Sequence, residues 1–82
     1  MDKTIPLSDL RKGERAVIHM LKTDDSTAAR LRGIGFSEGT EVFCAGSGLF
    51  KDPAAYRVKG ALIALRYRDA RGVLCRKGEN PT

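Results

Sequence analysis

Residues 26–40, Ser-Thr-Ala-Ala-Arg-Leu-Arg-Gly-Ile-Gly-Phe-Ser-Glu-Gly-Thr, decide how the rest of the chain must fold. They read as one short helix, a glycine stop and a tight turn that launches a strand. Asp24, Asp25 and Ser26 are N-cap candidates, because a short side-chain oxygen accepts from an unpaired N–H of the first turn. Ala28, Leu31 and Ile34 recur every three residues and mark one apolar stripe, with Arg30 and Arg32 off it. Gly35 suits the left-handed residue that ends a helix, which puts Phe36 in contact with Leu31 in a Schellman ending. Ser37-Glu38-Gly39 is a turn, and Thr40 starts a strand.

Outward from this stretch the chain reads as short strands. Met1 to Pro6 is a lead-in, because Pro6 fixes its own backbone and disfavours helix at Ile5. Leu7 to Leu10 makes one helical turn with both leucines toward the core. Arg15–Leu21 is a strand with Ala16, Ile18 and Met20 facing in and His19 facing out. In Thr40–Ala45, Val42 and Cys44 face in, and Glu41 and Phe43 face out. Residues 46–53 form a long loop with Leu49 and Phe50 near its tip. In Ala54–Lys59, Tyr56 and Val58 oppose Arg57 and Lys59. Gly60 is a turn or bulge. Ala61–Leu65 is a strand with Ile63 and Leu65 inward, Arg66–Ala70 is a tight helical turn, and Val73–Arg76 is the closing strand. The pattern predicts a mainly β fold: a small five-stranded, partly open SH3-like barrel with one short α-helix and one or two helical turns. Closure limits exposed strand edges. One domain spans 1–82, with 1–5 and 77–82 flexible.

The order and spacing of these pieces resemble the FeoA family, the small ferrous iron transport protein A. The resemblance lies in Leu31-x-x-Ile34-Gly35-Phe36 followed by Gly39-Thr40-Glu41-Val42. It extends to Pro6-Leu7-Ser8-Asp9-Leu10 with Lys12-Gly13-Glu14, and to Asp52-Pro53 before Tyr56-Arg57-Val58-Lys59-Gly60 and Ile63-Ala64-Leu65-Arg66. Asp69-Ala70 before a final strand is similar to the family's end. Gly33, Cys44, Cys75 and an outward Leu62 depart from the family pattern and leave the contact surface open. The resemblance implies a small accessory protein of ferrous iron uptake that docks on FeoB, a membrane permease with a cytosolic GTP-binding domain. Ferrous iron is then the cargo of the system and not a cofactor of this chain. The resemblance extends to the SH3-like C-terminal domain of iron-dependent repressors, an alternative regulatory, metal-responsive reading; the helix-turn-helix of those repressors is not in this sequence.

Composition bounds the rest. The densest apolar stretch, Ala61 to Leu65, is far short of the roughly twenty residues a membrane helix needs. The opening Met-Asp-Lys-Thr-Ile-Pro lacks a signal-peptide pattern. A cytoplasmic protein is expected, held at the inner membrane face through its partner and not inserted in the bilayer. The net charge of +5 serves either solubility or an anionic partner. From Arg57 to Lys77 seven basic residues stand against Asp69 alone, so the second half is expected to present a basic face. A nucleic-acid surface would interleave aromatics with basic residues so that nucleobases can stack; only Tyr67, between Arg66 and Arg68, has such neighbours, and no nucleic acid is expected.

No enzymatic chemistry is expected. His19 has no nucleophile beside it in sequence, no Gly-x-Ser-x-Gly elbow exists, and Gly33-Ile34-Gly35 ends a helix where a dinucleotide fingerprint opens one. No Walker A sequence follows any glycine loop. The possible metal ligands His19, Asp24, Asp25, Cys44 and Cys75 lack chelating spacing. Without a Cys-x-x-Cys there is no zinc-ribbon or thioredoxin motif; Cys44 and Cys75, each inside an apolar strand pattern, read as two buried, reduced thiols, with a disulfide as the minority alternative. Two places are candidate partner surfaces. One is the loop with Leu49, Phe50 and Lys51, whose apolar pair either anchors a partner or plugs the barrel. The other is the helix face with Arg30 and Arg32, either solvated or engaged. Leu62, outward on its strand, is a further partner candidate, and weak self-association is open.

Overall fold

The structure is a computed structural model and describes residues 3–47 and 52–77. Six antiparallel strands form one sheet in the order β1-β6-β2-β3-β4-β5. They are β1 (Lys3–Pro6), β2 (Arg15–Leu21), β3 (Glu41–Ser47), β4 (Ala54–Val58), β5 (Ala61–Leu65) and β6 (Val73–Lys77). The helix α1 (Asp25–Gly33) joins β2 to β3, and a four-residue helix α2 (Tyr67–Ala70) joins β5 to β6. A 3-10 turn, Leu7–Asp9, follows β1. The mainly β architecture agrees with the sequence reading, with one strand more. The lead-in Lys3–Pro6 pairs with β6, Ile5 opposite Cys75.

The helix forms as its local signals dictate. Of the three N-cap candidates Asp24 does the capping. Its Oδ2 accepts from the Thr27 N–H at 3.0 Å and from the Ser26 hydroxyl at 2.8 Å. These bonds, Thr27's foremost, hold its carboxyl well below the usual carboxylate range. The helix ends in the Schellman motif that Gly35 predicts. Phe36 N–H donates to Leu31 O at 2.9 Å and Gly35 N–H to Arg32 O at 3.2 Å, with Gly35 at φ +116°. Phe36 is thereby driven into the core, edge-on to Tyr56 with ring centroids 6.3 Å apart. Ile34, expected on the buried stripe, is 39% exposed because it is the C-cap residue and the chain turns away there.

The inner face of the sheet collects Ile18, Val42, Cys44, Tyr56, Val58, Val73 and Cys75, capped by Leu7, Leu31 and Phe36. One inward residue of the sequence reading is corrected. Met20 is 45% exposed and Leu21 is buried, because the pairing of β2 with β6 slips between Ile18 and Met20. Such a bulge inverts the alternation beyond it. His19 faces out as expected. Cys44 and Cys75 are buried and free, and burial pushes the Cys75 thiol up to about 12.

Candidate functional site

The residues singled out in the sequence do not converge. Arg30 and Arg32 are each tied to a carboxylate of the same chain. Arg30 Nη2 lies 3.0 Å from Asp69 Oδ2, on α2. Arg32 holds Glu38 in a two-pronged contact, Nε to Oε1 at 3.1 Å and Nη2 to Oε2 at 2.9 Å. The arginine pulls the Glu38 carboxyl down to about 2. Leu49, Phe50 and Lys51 lie outside the described residues. Leu62 stands out on β5, 59% exposed. The seven basic residues of the second half do not share one face either. Arg57 is on β4, Lys59 in the turn after it, Arg66, Arg68 and Arg71 on and beside α2, and Arg76 and Lys77 on β6, where Lys77 is bonded to Glu14 at 2.6 Å.

What the sheet does assemble is a surface that single strands do not reveal. Pairing sets Arg15 of β2 opposite Phe43 of β3. Phe43 stands opposite Arg57 of β4, and Arg57 opposite Leu62 of β5. These four residues make one row of side chains across four strands on the outer face. Phe43 is half-buried, with the Arg15 guanidinium carbon 5.8 Å from its ring centroid, a cation–π distance. Glu41 and Lys59 flank the row and complete a shallow depression of about 370 Å³ lined by Arg15, Glu41, Phe43, Arg57 and Lys59. Among the described residues neither Arg57 nor Lys59 forms an ion pair with a carboxylate.

The next row along the strands is apolar. Gly46, Ala55 and Ala64 are paired across β3, β4 and β5. With Leu62, Pro53 and the stem of Lys12 they line a second hollow of about 320 Å³. The outer face therefore offers a basic, aromatic half and an apolar half that meet at Arg57 and Leu62. The signal for it was present in part: Phe43 and Leu62 read as outward and Arg57 as opposed to Tyr56 and Val58, but only the strand register makes them neighbours.

The other polar candidates of the sequence stand apart from this surface. His19 is exposed on β2, Asp24 is occupied as a cap, and both thiols are buried. Among the described residues no three His, Cys, Asp or Glu side chains gather into a metal-ion cluster. Tyr67 is exposed beside Arg66 and Arg68, and its N–H donates to Asp52 Oδ1 at 2.9 Å. No helix among the described residues is long and apolar enough to cross a membrane.

Comparison with known proteins places this geometry. No curated protein matches the chain in sequence. A FeoA-like protein from Clostridium acetobutylicum shares the fold with a TM-score of 0.88 at 22% identity, over 100% of this chain and 95% of that one. The zinc-complexed FeoA of Stenotrophomonas maltophilia, described as a prokaryotic SH3 domain protein, is 32% identical over 87% of this chain and 88% of its own, with a TM-score of 0.71. A manganese-dependent transcriptional repressor contains the same fold, with a TM-score of 0.82 at 14% identity over 94% of this chain and 43% of its own. The sheet is thus of the SH3-like kind. The family model of the FeoA domain matches residues 5–77, so the chain belongs to the FeoA family.

Proposed function

We propose that this chain is a cytoplasmic accessory protein of ferrous iron uptake, acting by protein–protein contact with a FeoB-type GTP-dependent permease. The carrying observation is the FeoA match over residues 5–77. It is supported by the Stenotrophomonas maltophilia relative, for which a role as a ferrous iron transport activating factor has been suggested. The described residues suit docking better than turnover. The one histidine is on an exposed strand face, the thiols are sealed in the core, and the outer depression sets three cations and one carboxylate, Glu41, around an aromatic ring. Iron in this reading is the cargo of the partner. The likeness to the manganese-dependent repressor, at 14% identity, is a likeness of fold and carries no regulatory role here.

Calorimetric titration of the chain with the cytosolic GTP-binding part of the permease, and with the detergent-solubilised whole permease, tests the proposal. Saturable binding that differs between GTP-bound and nucleotide-free partner is expected. Absence of binding to both preparations in every nucleotide state overturns it.

A further inference from the structure

The outer face ends at β5, and β5 ends the sheet. Its five residues, Ala61 to Leu65, contain no charge and no proline, the devices by which edges are normally protected. The β4–β5 turn has only Lys59 and Gly60, both at positive φ (+48° and +81°). A two-residue turn of that kind makes Val58 and Ala61 a hydrogen-bonded pair. By alternation Tyr56–Ile63 and Ala54–Leu65 are hydrogen-bonded too, while Arg57–Leu62 and Ala55–Ala64 are not. The N–H and C=O groups of Leu62 and Ala64 therefore point away from β4, at the open edge. No other backbone hydrogen bond among the described residues uses them.

We propose that this edge and the outer face beside it dock an extended, acidic segment of a partner protein, which adds to β5 as a further strand. The inference deepens the accessory-protein reading and rests on it for the existence of a partner. Main-chain bonds to Leu62 and Ala64 supply pairing, as in other β-augmentation complexes. Side chains of the added strand that face outward fall in line with the Arg15–Phe43–Arg57–Leu62 row. A glutamate there reaches past Leu62 toward Arg57 and Lys59, which hold no ion pair among the described residues and, with Arg15, outnumber the one acidic neighbour, Glu41; an apolar neighbour meets Leu62 and the hollow beside Ala64. A second copy of this chain is a poorer occupant. Two such edges would join the basic outer faces of two copies into one surface, in a protein whose net charge is already +5.

The test uses the whole chain, labelled with nitrogen-15, at low and physiological salt. The probes are a short capped peptide alternating glutamate and valine, its lysine–valine counterpart, an oligothymidylate and phosphatidylglycerol vesicles. The acidic peptide is expected to shift the amides of Leu62, Ala64 and Arg57 and to slow hydrogen exchange at Leu62 and Ala64. Ala64→Pro removes the outward N–H at a position where an edge strand accepts proline without losing a bond to β4, and is expected to weaken binding at least tenfold. The double variant Arg57→Glu/Lys59→Glu leaves the edge intact and is expected to lose the acidic peptide and gain the lysine peptide. The proposal fails if the acidic peptide leaves these amides unmoved, or if the oligonucleotide or the vesicles move them as strongly. It also fails if the free protein already pairs with itself through them. Titration of the same variants with the permease separates the two ideas. Wild-type affinity in both variants would sink the docking site and leave the accessory role standing. Peptide docking without permease binding would do the reverse.

Discussion

On β3 and β4 successive residues live in two different surroundings. Val42, Cys44, Tyr56 and Val58 are sealed into the core, whereas Phe43 is half-covered by an arginine and Arg57 is open. The same backbone thus carries the core on one side and a recognition surface on the other, and the alternation of strand side chains keeps the two apart. The contrast implies a division of effects. Inner substitutions should change stability, outer ones should change binding, and any variant that does both would break the comparison.

Tyr56→Ala is the largest expected effect. Tyr56 is buried against Phe36 and opposite Cys44. Removing so large a buried side chain costs about 3–5 kcal/mol, much of the stability of a domain this small. Denaturant unfolding should show the midpoint collapsing. Tyr56→Phe should cost far less, about 1 kcal/mol or below, because the hydroxyl reaches Leu7 O only at 3.5 Å. A large loss from the phenylalanine variant would mean that this contact, and not the ring, ties the 3-10 turn to the sheet.

The helix ending is tested next, by two glycines with opposite expectations. Gly35→Ala forces a side chain into a positive-φ position and puts Cβ 3.2 Å from Val58 Cγ2. A loss of about 1–2 kcal/mol follows from the backbone alone. At Gly33 an added Cβ meets nothing within 4 Å, and the position is helical. Gly33→Ala should therefore gain up to about 1 kcal/mol. Chemical denaturation of both variants checks the pair of signs.

The core thiol gives the inner face a pH signature. Burial holds the Cys75 pKa at about 12 against an ordinary 9.0, and burial likewise lifts Tyr56 from 10.0 to about 12. A raised folded-state pKa means that the unfolded chain releases its proton first. The stabilisation is complete below pH 9 and is lost as pH rises from about 9 toward 12. Stability measured across that window should fall, less steeply between 9 and 10 in Cys75→Ala. The surface pair Arg32–Glu38 does the opposite. Its depressed Glu38 pKa adds stability above the ordinary carboxylate pKa of 4.5, lost as pH falls toward about 2. Because the pair is exposed and screened by salt, its effect should be the smaller and should shrink as salt is added.

The legible parts of the molecule were the local ones. The helix, its Schellman ending, the inward positions Val42 and Cys44 and the shared side of Tyr56 and Val58 depend on residues within a few places of one another. Met20 was misplaced because the bulge that exposes it arises from pairing with β6, more than fifty positions along the chain. The engagement of Arg30 was hidden for the same reason, its partner Asp69 being 39 residues away. The outer row of Arg15, Phe43, Arg57 and Leu62 joins four strands and exists only once register is known. Strand direction was readable; neighbourhood across the sheet was not.

Arg57→Gln is the smallest expected effect on stability and the sharpest probe of the division. The side chain is exposed, its neighbours across the sheet are Phe43 and Leu62, and it holds no ion pair among the described residues. Removing its charge leaves no buried group unpaired and opens no cavity, so unfolding free energy should stay within about 0.5 kcal/mol of wild type. Easing repulsion among Arg15, Arg57 and Lys59 would even favour a slight gain. A loss of more than about 1 kcal/mol would show that the guanidinium is held by the fold itself, stacked on Phe43 in the manner of Arg15. The outer face would then be part of the structure's support, and its exposed charge no guide to what it binds.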